Sequence, residues 1–302
     1  MTQLTASGSR VGAGIACALT GLFGMSVMDA CAKFLGEGYA ISQIILFRNA
    51  VGALVVLLFV LVSDRGLLRL RPRRFGLLAL RTIFSLAAGF LFFTGLRYLP
   101  LADAFAIAFT APLFITALSV PLLKEQVGAR RWGAVFIGFI GVLIVIQPGT
   151  SSFRLEALLP LGAALSYALT MLVSRRLTWE MSTSAIMFWP SLGATSAALL
   201  FMPLQWQTPS PTDLGIFLFM GLIGTLGMTL IIQGYRFAPA SVIAPFDYSA
   251  LLWAIILGWL IWGDLPGPET WLGSSVLIMS GLYILHRETS LRKKPALPRD
   301  NA

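Results

Sequence analysis

A 302-residue chain that is 57% hydrophobic and only 12% charged, with a mean hydropathy of +0.83, does not have the composition of a water-soluble globular domain. A formal net charge of +9 would suit a nucleic-acid binder, but the basic residues sit between apolar runs, so no nucleic-acid partner is required. Two cysteines and one histidine leave no material for a disulfide framework or a histidine-based metal centre.

Ten apolar runs are long enough to cross about 30 Å of hydrocarbon at 1.5 Å per residue. They fall at 11–35, 41–62, 76–96, 101–123, 131–148, 157–174, 184–203, 213–235, 239–263 and 270–286. The predicted class is an all-α membrane protein of ten transmembrane helices. Helix 1 lacks a small-residue cleavage site after a short apolar core, so it is expected to remain in the membrane. Its Cys17 and Cys31 lie about 21 Å apart at helical rise, too far for a bridge within one chain. Asp29 and Lys33 are one turn apart on a single face of this helix. Either the lysine snorkels and neutralises the aspartate as a structural pair, or both line a cavity where Lys33 meets an anionic or carbonyl group.

Arg48, about two turns into helix 2, carries a planar fork suited to a carboxylate, a phosphate or a stacked heteroaromatic ring. Its structural alternative is a tie to Asp29 or Asp103. Gly89 in helix 3 and Gly221, Gly224 and Gly227 in helix 8 are expected to let neighbouring helices approach closely. Asp103 at the start of helix 4 is expected to favour that helix N-terminus, and Glu125 and Asp264 at helix ends to serve structure. Tyr167 on helix 6 and Phe246, Tyr248 and Trp253 on helix 9 are candidates to stack on a planar substrate, with ordinary helix packing as the alternative. Trp132, Trp179, Trp206, Trp262 and Trp271 fall near helix ends, where anchoring in the headgroup belt accounts for them. Asp247 lies in Pro245-Phe246-Asp247-Tyr248-Ser249 with no basic residue nearby in sequence. It is either a proton carrier on a proline-interrupted helix or a kink aspartate satisfied by Tyr248 or Ser249. Asp29 is the second candidate for proton coupling.

Charge distribution gives the orientation. Arg65, Arg69, Arg71, Arg73 and Arg74, then Lys124, Arg130 and Arg131, then Arg175 and Arg176, and the tail after 287 all fall on the side of the N-terminus. Only Arg97 and Arg154 occupy loops on the other side. The positive-inside rule therefore predicts a multi-pass protein of the bacterial inner membrane with both termini cytoplasmic. The basic, proline-containing segment 288–302 reads as a cytoplasmic tail.

The chain also repeats itself. Gly95-Leu96-Arg97-Tyr98-Leu99-Pro100 recurs as Gly234-Tyr235-Arg236-Phe237-Ala238-Pro239 at an offset of 139, and the copies run without a gap to Glu125 and Asp264. Gly133 and Gly141 recur as Gly273 and Gly281 at offset 140, while Ser42 aligns with Ser184 and Lys33 with Arg175 at offset 142. The halves are 1–148 and 149–287, and five crossings in each make the copies antiparallel in the membrane. This arrangement resembles the EamA family of the drug/metabolite transporter superfamily, most specifically through Leu99-Pro100-Leu101-Ala102-Asp103-Ala104, Ala111-Pro112-Leu113-Phe114 and Gly138-Phe139-Ile140-Gly141-Val142. The resemblance implies a secondary carrier with a cavity lined by helices 1–4 and 6–9, while helices 5 and 10 brace the halves.

Within that class, Asp29, Lys33, Arg48 and Asp247 with nearby aromatics fit a heteroaromatic or zwitterionic metabolite, and the arrangement looks similar to carriers of riboflavin, then of S-adenosylmethionine. The alternative is an exporter of an amino acid, a metal-chelating metabolite or a drug. A membrane-embedded enzyme lacks a catalytic constellation, and a channel would need a continuous polar seam. No cofactor is expected, and no Gly-Lys-Ser/Thr phosphate loop occurs. The expected partners are a small-molecule substrate and membrane lipids, with a homodimer permitted and a monomer sufficient. The topology is checked with single cysteines in a background lacking Cys17 and Cys31. Residues 71 and 301 should both resist an impermeant thiol reagent until the membrane is permeabilised, and labelling of only one from outside would break the two-half arrangement.

Overall fold

The structure is a computed structural model, described over residues 2–62, 67–124, 127–177, 180–238 and 240–292. In order, the helices are α1 (Thr2–Gly36), α2 (Ile41–Val62), α3 (Phe75–Tyr98), α4 (Leu101–Ala108), α5 (Ala111–Leu123) and α6 (Ala129–Ile146). They continue as α7 (Leu158–Leu177), α8 (Thr183–Gln205), α9 (Pro211–Phe237), α10 (Ala240–Ile243), α11 (Ser249–Trp262) and α12 (Pro268–Arg292). With α4 and α5 counted together, eight spans have the length and hydropathy of a membrane crossing, and α8 and α12 bring the fold to ten in two inverted repeats. Glu125, Trp179, Arg65 and the tail beyond 292 lie outside the described residues.

Two of the expected continuous helices are broken. The fourth stops at Phe109 and Thr110, where the Thr110 hydroxyl donates to the Ile107 carbonyl at 2.5 Å. Pro112 then occupies the first turn of α5, a position where its missing N–H costs nothing. The ninth passes from α10 through a 3-10 turn, Ala244–Tyr248, into α11, because Pro245 cannot donate to the preceding turn. At offset 139, Phe109 and Thr110 correspond to Tyr248 and Ser249, so both breaks occur at one repeat position. The rings of Phe109 and Tyr248 meet there, with centroids 5.2 Å apart. The two interruptions face each other across the pseudo-twofold axis.

The packing follows the same symmetry. An added Cβ at Gly95 of α3 would lie 3.0 Å from Pro160 of α7, while one at Gly234 of α9 would lie 3.2 Å from Ala18 of α1. Likewise Gly221 faces Val51 and Gly193 faces Thr82, pairs exchanged by offsets 139 and 142. Lipid tails are as apolar as leucine, so helices associate in a bilayer through close packing more than through burial from water. The α1–α9 seam takes this furthest. A Cβ at Gly21 would come within 2.6 Å of the Gly227 carbonyl, and one at Gly227 within 2.8 Å of the Gly21 carbonyl; Gly14 and Gly234 repeat the contact two turns along. Helices α6 and α12 meet similarly through Gly141 and Gly273. Gly221, Gly224 and Gly227 are thus packing glycines as expected, whereas Gly89 makes room for the Arg48 guanidinium and not for a helix.

The two membrane faces differ. On the face where α1 ends, called the far face, α3 packs on α1 and α4 packs on α11. Lys33 Nζ donates to the Leu99 carbonyl at 2.6 Å and lies 5.2 Å from the Trp262 ring, whose indole N–H donates to Glu37 at 2.9 Å. Repeat symmetry would pair α7 with α9 and α5 with α10 on the near face, and among the described residues neither pair packs comparably. Among the described residues, the far face is therefore closed by helix contacts that the near face lacks. At the near surface Arg74 and Glu180 form an ion pair at 2.7 Å. This hydrogen bond holds the Glu180 carboxyl below its usual range, so its stabilising contribution exists above the unfolded value and is lost as pH falls through the lowered one. Both groups are exposed, which keeps that contribution small.

Replacing Gly21 by Val should wedge α1 from α9 and cost about 1–3 kcal/mol, the usual range for overpacking. Gly12→Ala on the same helix, where an added Cβ meets nothing within 4 Å, should leave the thermal midpoint of the purified protein unchanged. Equal midpoints for both variants would contradict the seam.

Candidate functional site

Helix α1 carries Phe23, Ser26 and Asp29 at three-residue spacing on one stripe, of which Ser26 and Asp29 are buried. Ser26 is fully buried and Asp29 is 8% exposed. The expected Asp29–Lys33 pair does not form. Lys33, also buried, reaches away from Asp29 to the carbonyl that ends α3, because a helix C-terminus leaves unpaired carbonyls and a long lysine chain can satisfy one. The charge that acts on Asp29 is Arg48, yet the two do not form an ion pair. Arg48 instead lies 5.3 Å over the Phe93 ring beside Gly89. An acid and a guanidinium thus lie within electrostatic range of each other, on two membrane-spanning helices.

The second pole lies on the near-face side of the axis. Asp247 sits in the 3-10 turn and accepts a hydrogen bond from the Tyr235 hydroxyl at 2.7 Å. Its satisfaction therefore comes from α9 and not from Tyr248 or Ser249, because the 3-10 turn aims the carboxylate back across the bend. Tyr167 of α7 lies within electrostatic range of both Asp247 and Arg81 of α3. Arg81 Nε donates to the Ser174 hydroxyl at 2.6 Å, and Ser174 donates in turn to the Thr170 carbonyl at 2.6 Å, which fixes the guanidinium plane. Tyr167 and Tyr235 remain accessible, at 46% and 36% exposure. These groups lie on the side where α7 and α9 do not pack closely among the described residues.

The remaining candidates disperse. Tyr248 packs on Phe109, with its hydroxyl against Gly281. Phe246 and Ser249 line a cavity of about 340 Å³ between the 3-10 turn, α11 and α12. Trp253 packs edge-on against Phe23 at 4.9 Å, and its buried indole N–H has no partner among the described residues. The hydroxyls of Ser26 and Ser249 are likewise buried and unpartnered. Asp103 lies in the first turn of α4 as expected, but it makes no capping bond. It accepts from the Thr270 hydroxyl at 2.7 Å and ties α4 to α12. At the far surface, outside the membrane, the Asp213 carboxylate takes a hydrogen bond from Tyr39 at 2.6 Å and raises that phenol above its ordinary range.

Sequence reasoning did not single out Tyr235, Arg81 or Ser26 as site residues, and it named Ser249 only as a partner for Asp247. A signal for Tyr235 was present, since the repeat places the apolar Leu96 opposite it, just as Ala108 stands opposite Asp247. Polar residues that interrupt an otherwise apolar repeat mark the site. Among the described residues no group of histidine, cysteine and carboxylate side chains is placed to hold a metal.

Residues 12–147 and 154–287 each match the EamA-like transporter family. A riboflavin transporter of Vibrio cholerae is 29% identical over 281 residues, covering 91% of this chain and 94% of the relative. An S-adenosylmethionine uptake transporter of Rickettsia prowazekii is 26% identical over 276 residues, covering 91% and 93%. A solved crystal structure matches with a TM-score of 0.62 at 18% identity, over 92% of this chain and 99% of the other, and shares the fold.

The Tyr235–Asp247 bond is open to a double-mutant cycle. Tyr235→Phe and Asp247→Ala should each lower the thermal midpoint, and the double variant should cost less than their sum by about 1–3 kcal/mol, the range of a hydrogen bond to a charged group. Additive effects would mean that the two side chains do not interact.

Proposed function

The chain belongs to the EamA-like transporter family, and from that membership we propose that it takes up a heteroaromatic or zwitterionic metabolite by alternating access, riboflavin first and S-adenosylmethionine second. In this proposal the near face is cytoplasmic, as the clustered arginines of the 65–74 loop require, and the membrane is the bacterial inner membrane. The observation that carries it is the pair of poles about the Phe109–Tyr248 contact, Asp29 with Arg48 on one side and Asp247 with Tyr235 on the other. Charges left without ion pairs at membrane depth need water or a solute, and a central site reachable from alternate faces supplies both.

Within the site, Arg48 would donate to the carbonyl oxygens or carboxylate of the solute. The unpartnered Trp253 N–H and Ser26 hydroxyl are available as further donors. Tyr167 supplies a ring face for stacking. Asp247 is the candidate to carry a proton with the solute and Asp29 is second, since no phosphate-binding loop is present to couple ATP. The acid–arginine neighbourhood at Asp29 and Arg48 is the feature that would suit the zwitterionic head of S-adenosylmethionine.

The test uses reconstituted vesicles with an imposed pH gradient and labelled riboflavin or S-adenosylmethionine. The parent should accumulate one of them. Arg48→Lys should keep part of that activity and Arg48→Ala little, because an ammonium cannot reproduce the fork. Asp247→Asn should lose gradient-driven accumulation while keeping exchange of solute across the membrane. Saturable transport of neither compound would dismiss both substrates, and undiminished gradient-driven uptake by Asp247→Asn would pass the proton role to Asp29.

A further inference from the structure

The closed far face is held by a contact whose inverted copy can be read directly from the repeat. Leu99 ends α3 with its N–H on the Gly95 carbonyl, and Ala238 ends α9 with its N–H on the Gly234 carbonyl. Those two residues are equivalent at offset 139. Lys33, in the last turn of α1, corresponds at offset 142 to Arg175, in the last turn of α7. Both offsets are supported by packing independent of these residues, since they exchange Gly95–Pro160 with Gly234–Ala18 and Gly221–Val51 with Gly193–Thr82. The Lys33 ammonium bonds the Leu99 carbonyl at 2.6 Å, whereas the Ala238 carbonyl takes no side-chain hydrogen bond among the described residues.

We propose that Arg175 is the latch of the near face, closing it by donating to the Ala238 carbonyl in the state where Lys33 has released Leu99. The inference rests on the alternating-access reading and adds to it a named residue on each side. In an inverted repeat, each half adopts in one state the conformation that the other adopts in the second state. Whatever seals the far face here must therefore have a counterpart that seals the near face there. The chemistry is matched on both sides: a cation in the last helical turn meets the uncapped carbonyl at the end of the neighbouring helix. Around Lys33 the acids Asp264, Glu37 and Asp103 lie within electrostatic range. Arg175 is longer and carries five donors in place of three, so it reaches as far and is less dependent on a single orientation. Its neighbour Arg176 already donates to a carbonyl, that of Leu122 in α5, so this helix end is one that bridges to opposing chain ends. Arg175 is a positioning residue in this scheme. It does not touch the solute.

The latch is tested without any substrate. A reporter cysteine replaces the exposed Tyr167 of α7 in full-length protein lacking Cys17 and Cys31, and an impermeant maleimide is applied to the near face of sealed vesicles. Removing the far-face latch with Lys33→Met should shift the population toward the state closed on the near side. The labelling rate should fall by about tenfold, the scale of one lost charged hydrogen bond. Adding Arg175→Met should restore the rate of the parent, while adding Arg175→Lys, which keeps a cationic donor, should leave labelling slow. The proposal is overturned if Lys33→Met labels as fast as the parent, or if Lys33→Met with Arg175→Met stays as slow as Lys33→Met alone. Thermal midpoints matching the parent confirm that the variants are folded. Absence of riboflavin or S-adenosylmethionine transport would leave this labelling pattern intact, so the substrate reading and the latch fail separately.

Discussion

A helix that crosses a bilayer satisfies its own backbone, and interrupting one at mid-depth leaves polar groups that lipid cannot accept. This chain interrupts two, at the same repeat position, and sets the interruptions against each other at Phe109 and Tyr248. Much of the architecture follows from sheltering that pair. Helices α1, α7, α11 and α12 enclose the breaks, the Thr110 hydroxyl adds a bond to the Ile107 carbonyl, and Pro245 removes a donor that would otherwise lack an acceptor. The polar side chains gather beside the breaks because only there does protein or water replace hydrocarbon.

Rigidity and freedom are distributed unevenly around this centre. The α1–α9 and α6–α12 seams bring glycine backbones into direct apposition, so those pairs resist separation. The counterpart of the first seam, α3 on α7, places Gly95 against Pro160 and Gly162 against Leu91, side chains that can give slightly. The difference between the faces is then a matter of how otherwise equivalent helices tilt, with α3 leaning on α1 at one end while α7 and α9 stay apart at the other. A mixed hydrogen-bond and cation–π cluster at Lys33, Trp262 and Glu37 holds that tilt. Trp262 is thus more than a headgroup anchor.

Most of the helices and the offsets of 139 and 142 were legible in the sequence, because long apolar runs and glycine spacing are set by bilayer thickness and by backbone approach. The break after Phe109 was not. Pro112 two residues later looks like an ordinary helix start, and a single threonine inside an apolar run does not by itself mark a break. Side-chain partners were the other loss. Asp29 and Lys33 have the spacing of an ion pair, but spacing along one helix says nothing of the open carbonyl at Leu99 on another. Asp103 has the position of a cap, yet Thr270, remote in sequence, offers a better-placed hydroxyl. Tyr235 stood out only as a departure from its repeat partner Leu96, a comparison that needs both halves aligned before it means anything.

Phe109 and Tyr248 touch, and repeat symmetry exchanges them with each other. A contact between residues on a two-fold axis is its own image and is present whichever face is open. Reshaping those two rings alike leaves the relative energies of the two states where they were and changes the height of the barrier between them. The one atom that breaks the equivalence is the Tyr248 hydroxyl, set against Gly281 where Phe109 has no oxygen. The resting preference of the carrier and its speed of turning over are, at this spot, written in separate atoms of a single side-chain pair.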